Sequence, residues 1–134
     1  GRLSKEEFEV MKNHTTLGAD TLSEVIGEFN IVRGHLLMAR DIAKYHHEKY
    51  DGSGYHGLAR DEIPLAARIF TLADIYDALR FKRHYKPAFS HEKTSEIIIH
   101  GDDRTKPYHF DPQVLEVFTL LENEFYKISN QYKD

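Results

Sequence analysis

Residues 64–81, PLAARIFTLADIYDALRF, form the most apolar segment of the sequence and decide its fold class. Proline is well tolerated at the first position of a helix, so Pro64 marks a helix start. The segment that follows, from Leu65 to Phe81, is hydrophobic nearly all round, which is typical of a helix buried among other helices. We therefore expect residues 65–81 to form the central helix of an all-α domain.

Two aspartates lie three residues apart inside this apolar helix, at Asp74 and Asp77. Burying an ionised carboxylate is costly unless a cation or hydrogen-bond donors compensate, so both aspartates require a partner. That partner is either an arginine, Arg68 or Arg83, or a metal ion. The segment alone does not choose between them.

A pair of adjacent histidines lies near the end of the preceding helix. Apolar residues in the segment 34–50 fall on one helical stripe, and the pattern stops at the glycine-rich residues 51–58, DGSGYHGL. His46 and His47 are about 100° apart around the helix axis, so both can point into one pocket. Alone, such a pair is more typical of one packed and one solvated ring than of a metal site. Combined with the two aspartates, it favours a metal site.

The rest of the sequence is also helical in pattern, with no alternating strand pattern and no repeat. Ser4 and Glu7 match a capping box, in which each side chain satisfies an amide at the helix start. The six predicted helices cover residues 5–13, Thr15 or Thr16 to Gly27, 34–50, 65–81, Ser90 to Gly101, and a final helix from Asp111-Pro112 onward. This pattern predicts an all-α bundle of about six helices.

Composition limits the class of function. With 134 residues, 40% of them hydrophobic, the chain has material for one domain, residues 1–134. Its formal net charge of -4 offers no basic field for polymeric nucleic acid. Cysteine is absent, so a metal would be held by imidazole and carboxylate groups. Without a signal peptide or an apolar run of about 20 residues, we expect a soluble, cytoplasmic domain with no membrane contact.

Several motifs, taken in order, are similar to those of one family. They are His46-His47-Glu48, residues 51–55, 63–69, 73–79 and 83–86, with Met11-Lys12-Asn13-His14 near the start and Phe110-Asp111-Pro112 near the end. Over almost the whole chain they resemble the HD-GYP branch of the HD-domain metal-dependent phosphohydrolases. The resemblance implies an HD-domain-like helical bundle that hydrolyses the bacterial second messenger cyclic di-GMP to pGpG or GMP.

The resemblance also implies site residues and cofactors. By position in the motifs, the metal ligands are His14, His46, His47 and Asp74, a further catalytic residue is Asp77, and the substrate-binding residues are Tyr55, Arg83 and Lys86. The family holds two or three divalent ions, most often iron or manganese, with zinc, magnesium or nickel as alternatives. Two ions about 3.5–4 Å apart lower the pKa of a shared water, so a metal-bound hydroxide would attack the phosphodiester.

The sequence departs from the family pattern in two regions. No histidine is followed by aspartate, although a His-Asp doublet names the family. Because that doublet lies upstream, we expect the chain to lack the upstream helices that carry it and to be weakly active or inactive alone. An apolar face left open would favour a homodimer. In the loop, His56 stands where proline is usual and Arg60 replaces a customary glycine.

Three functions remain open from the sequence: an active phosphodiesterase, a degenerate module that binds cyclic di-GMP or a protein without turnover, and a helical interaction module whose histidines are structural. Family members usually end a longer signalling protein, so the expected partners are a cyclic dinucleotide and an upstream receiver or sensor domain.

The histidines predicted to be surface or capping residues are His35, His84, His91, His100 and His109.

Overall fold

The computed structural model describes residues 3–29, 33–81 and 87–131, without the side chains of residues 25–29 and 33. Those ranges contain six α-helices and no strand. The helices are α1 (Lys5–Phe29), α2 (Arg33–Tyr45), α3 (Leu65–Arg80), α4 (His91–His100), α5 (Pro112–Leu120) and α6 (Glu122–Gln131), with 3₁₀ turns at Arg60–Glu62 and Pro107–His109. None of the described helices is both long and apolar enough to cross a membrane. The predicted all-α fold is confirmed.

Several predicted helix ends coincide with hydrogen-bonded caps. The Ser4 and Glu7 side chains each accept a hydrogen bond from the other's backbone amide, as the capping box requires. The Ser90 side chain accepts from the Lys93 amide at the start of α4. Gly101 ends α4 at a φ of 87°, a conformation that favours glycine. These ends are fixed by local chemistry, which is why the sequence identifies them.

The first two predicted helices are one continuous helix, α1, so the predicted break after Asn13 and the predicted end at Gly27 are wrong. Thr15 does not cap a new helix, because its hydroxyl donates to the Lys12 carbonyl within α1. Gly18 packs against α2, where an added Cβ would lie 3.5 Å from that of Ala43. Packing along α2 therefore carries α1 through residues that would favour a break in isolation.

The predicted single C-terminal helix is divided at Leu121 into α5 and α6. Leu121 has a ψ of 15°, and its amide donates to the carbonyls of both Val117 and Phe118. The division accompanies an aromatic cluster in which Phe118 and Phe125 lie 5.0 Å apart and both contact Tyr76. No glycine or proline marks this division, so the sequence pattern could not predict it.

Helix α3 is central, because it packs against α2, α4 and α5. The buried core cluster combines Leu72 and Tyr76 of α3 with Ile98, Phe110 and Phe118. The expectation that α3 is buried all round is only partly correct. Ile69 is 52% exposed and Phe70 is 40% exposed.

An ion pair with a buried carboxylate joins α3 to the start of α5. The Arg68 guanidinium donates to the Asp111 carboxylate at 2.6 Å and to the Ile63 carbonyl at 2.9 Å. The same carboxylate caps α5 by accepting from the Gln113 amide at 2.8 Å. Arg68 therefore pairs with Asp111, and the proposed pairing of Arg68 with the aspartates of α3 is wrong.

A polar network joins the end of α3 to α4 and α6. The Tyr76 hydroxyl lies 2.8 Å from Nδ1 of His91, which is buried, so the prediction of a surface or capping role for His91 is wrong. Arg80 is also buried, and its guanidinium donates to the Ser129 hydroxyl and the Phe89 carbonyl. The network anchors the α3 end.

Asp111 should be critical for stability. We expect Asp111→Ala to lower the free energy of unfolding by about 2–4 kcal/mol, since it leaves the partly buried Arg68 charge without its main partner and removes the α5 cap. Asp111→Asn retains a side chain that can cap α5, so it should lower the free energy of unfolding by less. In the control Asp61→Ala, the removed carboxylate lies 3.8 Å from the same guanidinium but is 92% exposed, so the change should stay within about 0.5 kcal/mol. Urea denaturation measures all three, and equal losses for Asp61→Ala and Asp111→Ala would contradict this account.

Candidate metal centre

Three histidines from two neighbouring helices meet at one point. His14 lies in α1, while His46 and His47 directly follow α2. One ring nitrogen of each residue lies within 4.8 Å of those of the other two. The ring centroids are 5.5 Å apart for His14 and His46, 5.1 Å for His14 and His47, and 4.1 Å for His46 and His47. Imidazole groups at this spacing can hold a divalent ion.

The hydrogen bonds of two of these rings leave the correct nitrogen free for a metal. Nδ1 of His46 donates to the Ile42 carbonyl at 2.8 Å, and Nδ1 of His14 donates to the Met11 carbonyl. Because a carbonyl oxygen only accepts, each Nδ1 carries the hydrogen, and the lone pair of the neutral ring lies on Nε2. Metal-ligating histidines typically have such a partner on the other nitrogen.

Burial keeps His47 in the form that binds metals. Removal from water, together with the weaker effects of His46 and His14, lowers the pKa of His47 from 6.5 to about 4. The Asp74 carboxylate acts in the opposite direction and raises this pKa. His47 is therefore neutral at pH 7 and needs to lose no proton before ligation.

The two predicted aspartates lie apart from this cluster. The group of mutually close ligand atoms contains neither Asp74 nor Asp77. Asp74 nevertheless acts electrostatically on His47, and within the described ranges no donor is hydrogen-bonded to its carboxylate. Asp77 is exposed and lines a cavity between α3 and α6 together with Phe125 and Ile128. The structure thus brings three of the four predicted ligands together, while the fourth, Asp74, acts on His47 electrostatically from outside that group.

Helix α3 holds the carbonyl of His46 in place. The Thr71 hydroxyl lies 2.8 Å from that carbonyl and 2.8 Å from the Ala67 carbonyl. Because the hydroxyl has a single proton, the two carbonyls share it as acceptors. Thr71 is buried, so this contact ties the end of α2 to the central helix. Thr71 was not predicted to be a site residue, and its position one turn before Asp74 is the only signal for it in the sequence.

Glu48 organises the glycine-rich loop beside the histidines. Its carboxylate is buried and accepts hydrogen bonds from the amides of His56, at 2.9 and 3.1 Å, and Leu58, at 3.0 Å. Gly54 passes so close that an added Cβ would lie 2.5 Å from the Glu48 Cα. Only glycine fits there without displacing the backbone. Glu48 was noted in a motif but not predicted to be a site residue.

The two loop departures are compatible with an ordered loop. Arg60 has a φ of 52°, which is the left-handed conformation that glycine adopts most easily, and its amide donates to the Tyr50 carbonyl at 3.0 Å. His56 donates its amide to Glu48, which proline could not do. Nε2 of His56 also lies 3.1 Å from the hydroxyl of Thr15, a fully buried residue next to His14 in α1. The loop is therefore joined to both helices that carry the histidines.

Among the predicted substrate-binding residues, Tyr55 lies at the histidine cluster. Its ring stacks on His47 with centroids 4.7 Å apart and an interplanar angle of 29°. Burial raises the pKa of Tyr55, so its hydroxyl stays protonated at neutral pH. Arg83 and Lys86, and with them His84, lie outside the described residues. Their predicted roles therefore have no structural description.

The lowered His47 pKa predicts how stability depends on pH without metal. Between the folded pKa of about 4 and the usual value of 6.5, the unfolded chain binds more protons at this site. The contribution of His47 to the free energy of unfolding is therefore constant above pH 6.5 and falls as the pH is lowered toward 4. Urea denaturation in chelator should show this decrease, and His47→Gln should reduce it. The exposed His100→Gln variant should retain it, and identical pH profiles for parent and His47→Gln would contradict the assignment.

Comparison with known proteins gives a family and several close relatives. The HD-domain family model matches residues 1–114. A cyclic di-GMP phosphodiesterase of Vibrio cholerae is 46% identical over the whole chain, which covers 26% of that protein. A 3'3'-cGAMP-specific phosphodiesterase of the same organism is 34% identical, with 24% covered. The cyclic di-GMP phosphodiesterase response regulator RpfG of Xanthomonas campestris is 35% identical over 98% of the chain, with 32% covered.

The chain thus spans about a quarter to a third of the length of these curated relatives. The family match includes the segment with His14, the histidine pair, the glycine-rich loop and α3. The chain belongs to the HD-domain family, in its HD-GYP branch.

Proposed function

We propose that the chain is the metal-binding part of a phosphodiesterase that hydrolyses cyclic di-GMP to pGpG or GMP. The observation that carries the proposal is the convergence of His14, His46 and His47, each able to present a ring nitrogen to an ion. Full-chain similarity to proteins named as cyclic di-GMP phosphodiesterases supports the choice of substrate.

The donor set fits divalent metal ions. Two imidazoles fixed by carbonyl partners, and a third kept neutral by burial, form a typical nitrogen ligand set. We propose two or three ions, iron or manganese, with Asp74 as the carboxylate ligand nearest to His47. When bound, such ions activate the attacking water and neutralise charge on the phosphate.

The remaining roles belong to side chains of this chain. His14, His46 and His47 hold the ions, and the stacked Tyr55 restricts access of solvent to His47 and borders the substrate. Asp77 is proposed to act on the substrate side of α3, one turn beyond Asp74. Because its carboxylate is exposed, it remains accessible to a ligand.

The principal alternative is a module that binds a cyclic dinucleotide or a protein without turnover. Its sequence support came from the departures at His56 and Arg60. Both are accommodated in a hydrogen-bonded loop, which favours the enzyme. A second candidate substrate is 3'3'-cGAMP, because a relative specific for it is 34% identical over the whole chain.

Regulation by an attached domain is also part of the proposal. The relative RpfG is named as a response regulator, and the chain covers 32% of its length. We propose that an upstream receiver or sensor domain controls this site. We also propose that residues 1–134 alone hydrolyse cyclic di-GMP slowly, because they contain no His-Asp doublet.

Removing one histidine should remove metal and activity together. In the natural full-length protein, we expect His47→Ala or His14→Ala to lower Mn²⁺ affinity about tenfold or more and to reduce cyclic di-GMP hydrolysis in parallel, since each deletes a ligand. Metal analysis and chromatography of the products measure the two effects. His100→Ala, an exposed histidine in α4, is the control. Full metal content in both site variants would refute the metal centre, whereas metal binding without turnover by the parent would favour the non-catalytic module.

Arg83 and Lys86, which match substrate-binding positions of the family motif, are proposed to hold the substrate. We expect Lys86→Ala and Arg83→Ala each to weaken cyclic di-GMP binding by about 1–3 kcal/mol, typical of a lost charge-assisted hydrogen bond, with metal content unchanged. Arg80 is unsuitable as a control because it is buried, so the exposed Lys127→Ala serves instead. Calorimetric titration tests this, and unchanged affinity in both variants would remove the assignment.

A further inference from the structure

A cavity of about 360 Å³ opens beside His47, between α1 and the glycine-rich loop. Its walls are Phe8 and Lys12 of α1 together with His47, Lys49, Ser53 and Tyr55. The volume lies within the usual range for small-molecule sites, about 300–1,000 Å³. Among the predicted site residues that the structure describes, only His47 and Tyr55 line the cavity, so the metal centre does not account for its lysines.

The charge of this cavity is opposite to that of the chain as a whole. The chain carries a net charge of -4, yet the lining includes two lysines and no carboxylate. The Lys12 ammonium lies 3.8 Å from Glu9, whose side chain is 64% exposed, and an exposed pair of this kind is weak enough for a ligand to replace. Within the described ranges, no carboxylate lies within 4.0 Å of the Lys49 ammonium. Two lysines in one cavity favour an anionic ligand such as phosphate.

Aromatic rings form the adjoining wall. Tyr55 uses one face to stack on His47, and Phe8 meets the Tyr55 ring edge-to-face at 5.6 Å. Phe8 is 42% exposed although it is a large apolar residue. Exposed aromatic rings next to lysines are typical of sites that stack a nucleobase and bind its phosphate.

We propose that this cavity binds the second, non-reacting phosphate of a cyclic dinucleotide through Lys12 and Lys49, with one base against Phe8. The inference rests on the proposed function, since it takes the reacting phosphate to lie at His14, His46 and His47. A cyclic dinucleotide has two phosphates on opposite sides of its ring, and only one can occupy the reaction centre at a time. The cavity shares His47 with that centre, so one ligand can span both.

The test compares a substrate that has two phosphates with one that has a single phosphate. In the natural full-length metal-loaded protein, the Lys12→Ala/Lys49→Ala double variant should raise KM for cyclic di-GMP about tenfold to a hundredfold, the range for lost charge-assisted hydrogen bonds. The kcat should change much less. The ratio of kcat/KM for cyclic di-GMP to that for bis(p-nitrophenyl) phosphate, which has one phosphate and no base, should fall by a similar factor.

Matched variants separate binding from a structural effect. Lys12→Arg/Lys49→Arg should restore most of the ratio, because arginine also binds phosphate. Lys93→Ala is the control, since Lys93 pairs with Glu96 three residues away in the same way as Lys12 pairs with Glu9 but lies on α4. Equal ratios in the double alanine variant and Lys93→Ala would overturn the inference.

Failure of the proposed function gives a different pattern. If the parent protein cleaves bis(p-nitrophenyl) phosphate in a metal-dependent way but neither binds nor cleaves cyclic dinucleotides, the substrate assignment and this inference are both overturned and the metal centre stands. If the parent binds no metal and cleaves neither compound, the proposed function itself fails. Metal content, measured for every variant, distinguishes the two results.

Discussion

The Glu48 carboxylate is the contact on which the geometry of the site most depends. It is buried directly after the histidine pair, and its only described donors are the amides of His56 and Leu58. An acceptor buried in this way must be satisfied, so the loop has to fold back over the end of α2. That return places Tyr55 on His47 and the ring of His56 on Thr15. The position of the loop, the orientation of His47 and the contact with α1 all follow from one buried side chain.

The same loop explains why two unusual residues are tolerated. A non-glycine residue in the left-handed conformation costs about 1–2 kcal/mol, and Arg60 adopts it where two backbone hydrogen bonds hold the surrounding turn. A proline at position 56 would restrict the backbone, whereas His56 is held by hydrogen bonds of its amide to Glu48 and of its ring to Thr15. Substitutions that look like loss of the family pattern are therefore compatible with retention of the loop.

The sequence predicted what local chemistry determines and failed where tertiary contacts decide. Capped helix ends at Ser4, Ser90 and Asp111 were predicted correctly because a side chain within three residues satisfies the helix amides. The continuity of α1 and the division at Leu121 depend on packing against other helices, which a local pattern does not contain. Burial of Arg80 and His91 has the same cause, since their partners lie on α6 and α3. For the candidate site, the motifs selected the three histidines that meet in space, but not Glu48 or Thr71, whose roles arise only after the loop and α3 are assembled.

The central claim is that His14, His46 and His47 bind divalent ions through Nε2, while carbonyl groups hold the rings of His14 and His46. Anomalous diffraction from crystals of the natural full-length protein with Zn²⁺ tests it directly. The account predicts ions about 2.0–2.1 Å from Nε2 atoms of these histidines, with Nδ1 of His14 and His46 still directed at the carbonyls of Met11 and Ile42. Ions bound only at other residues, with all three imidazoles outside ligand distance, would contradict it.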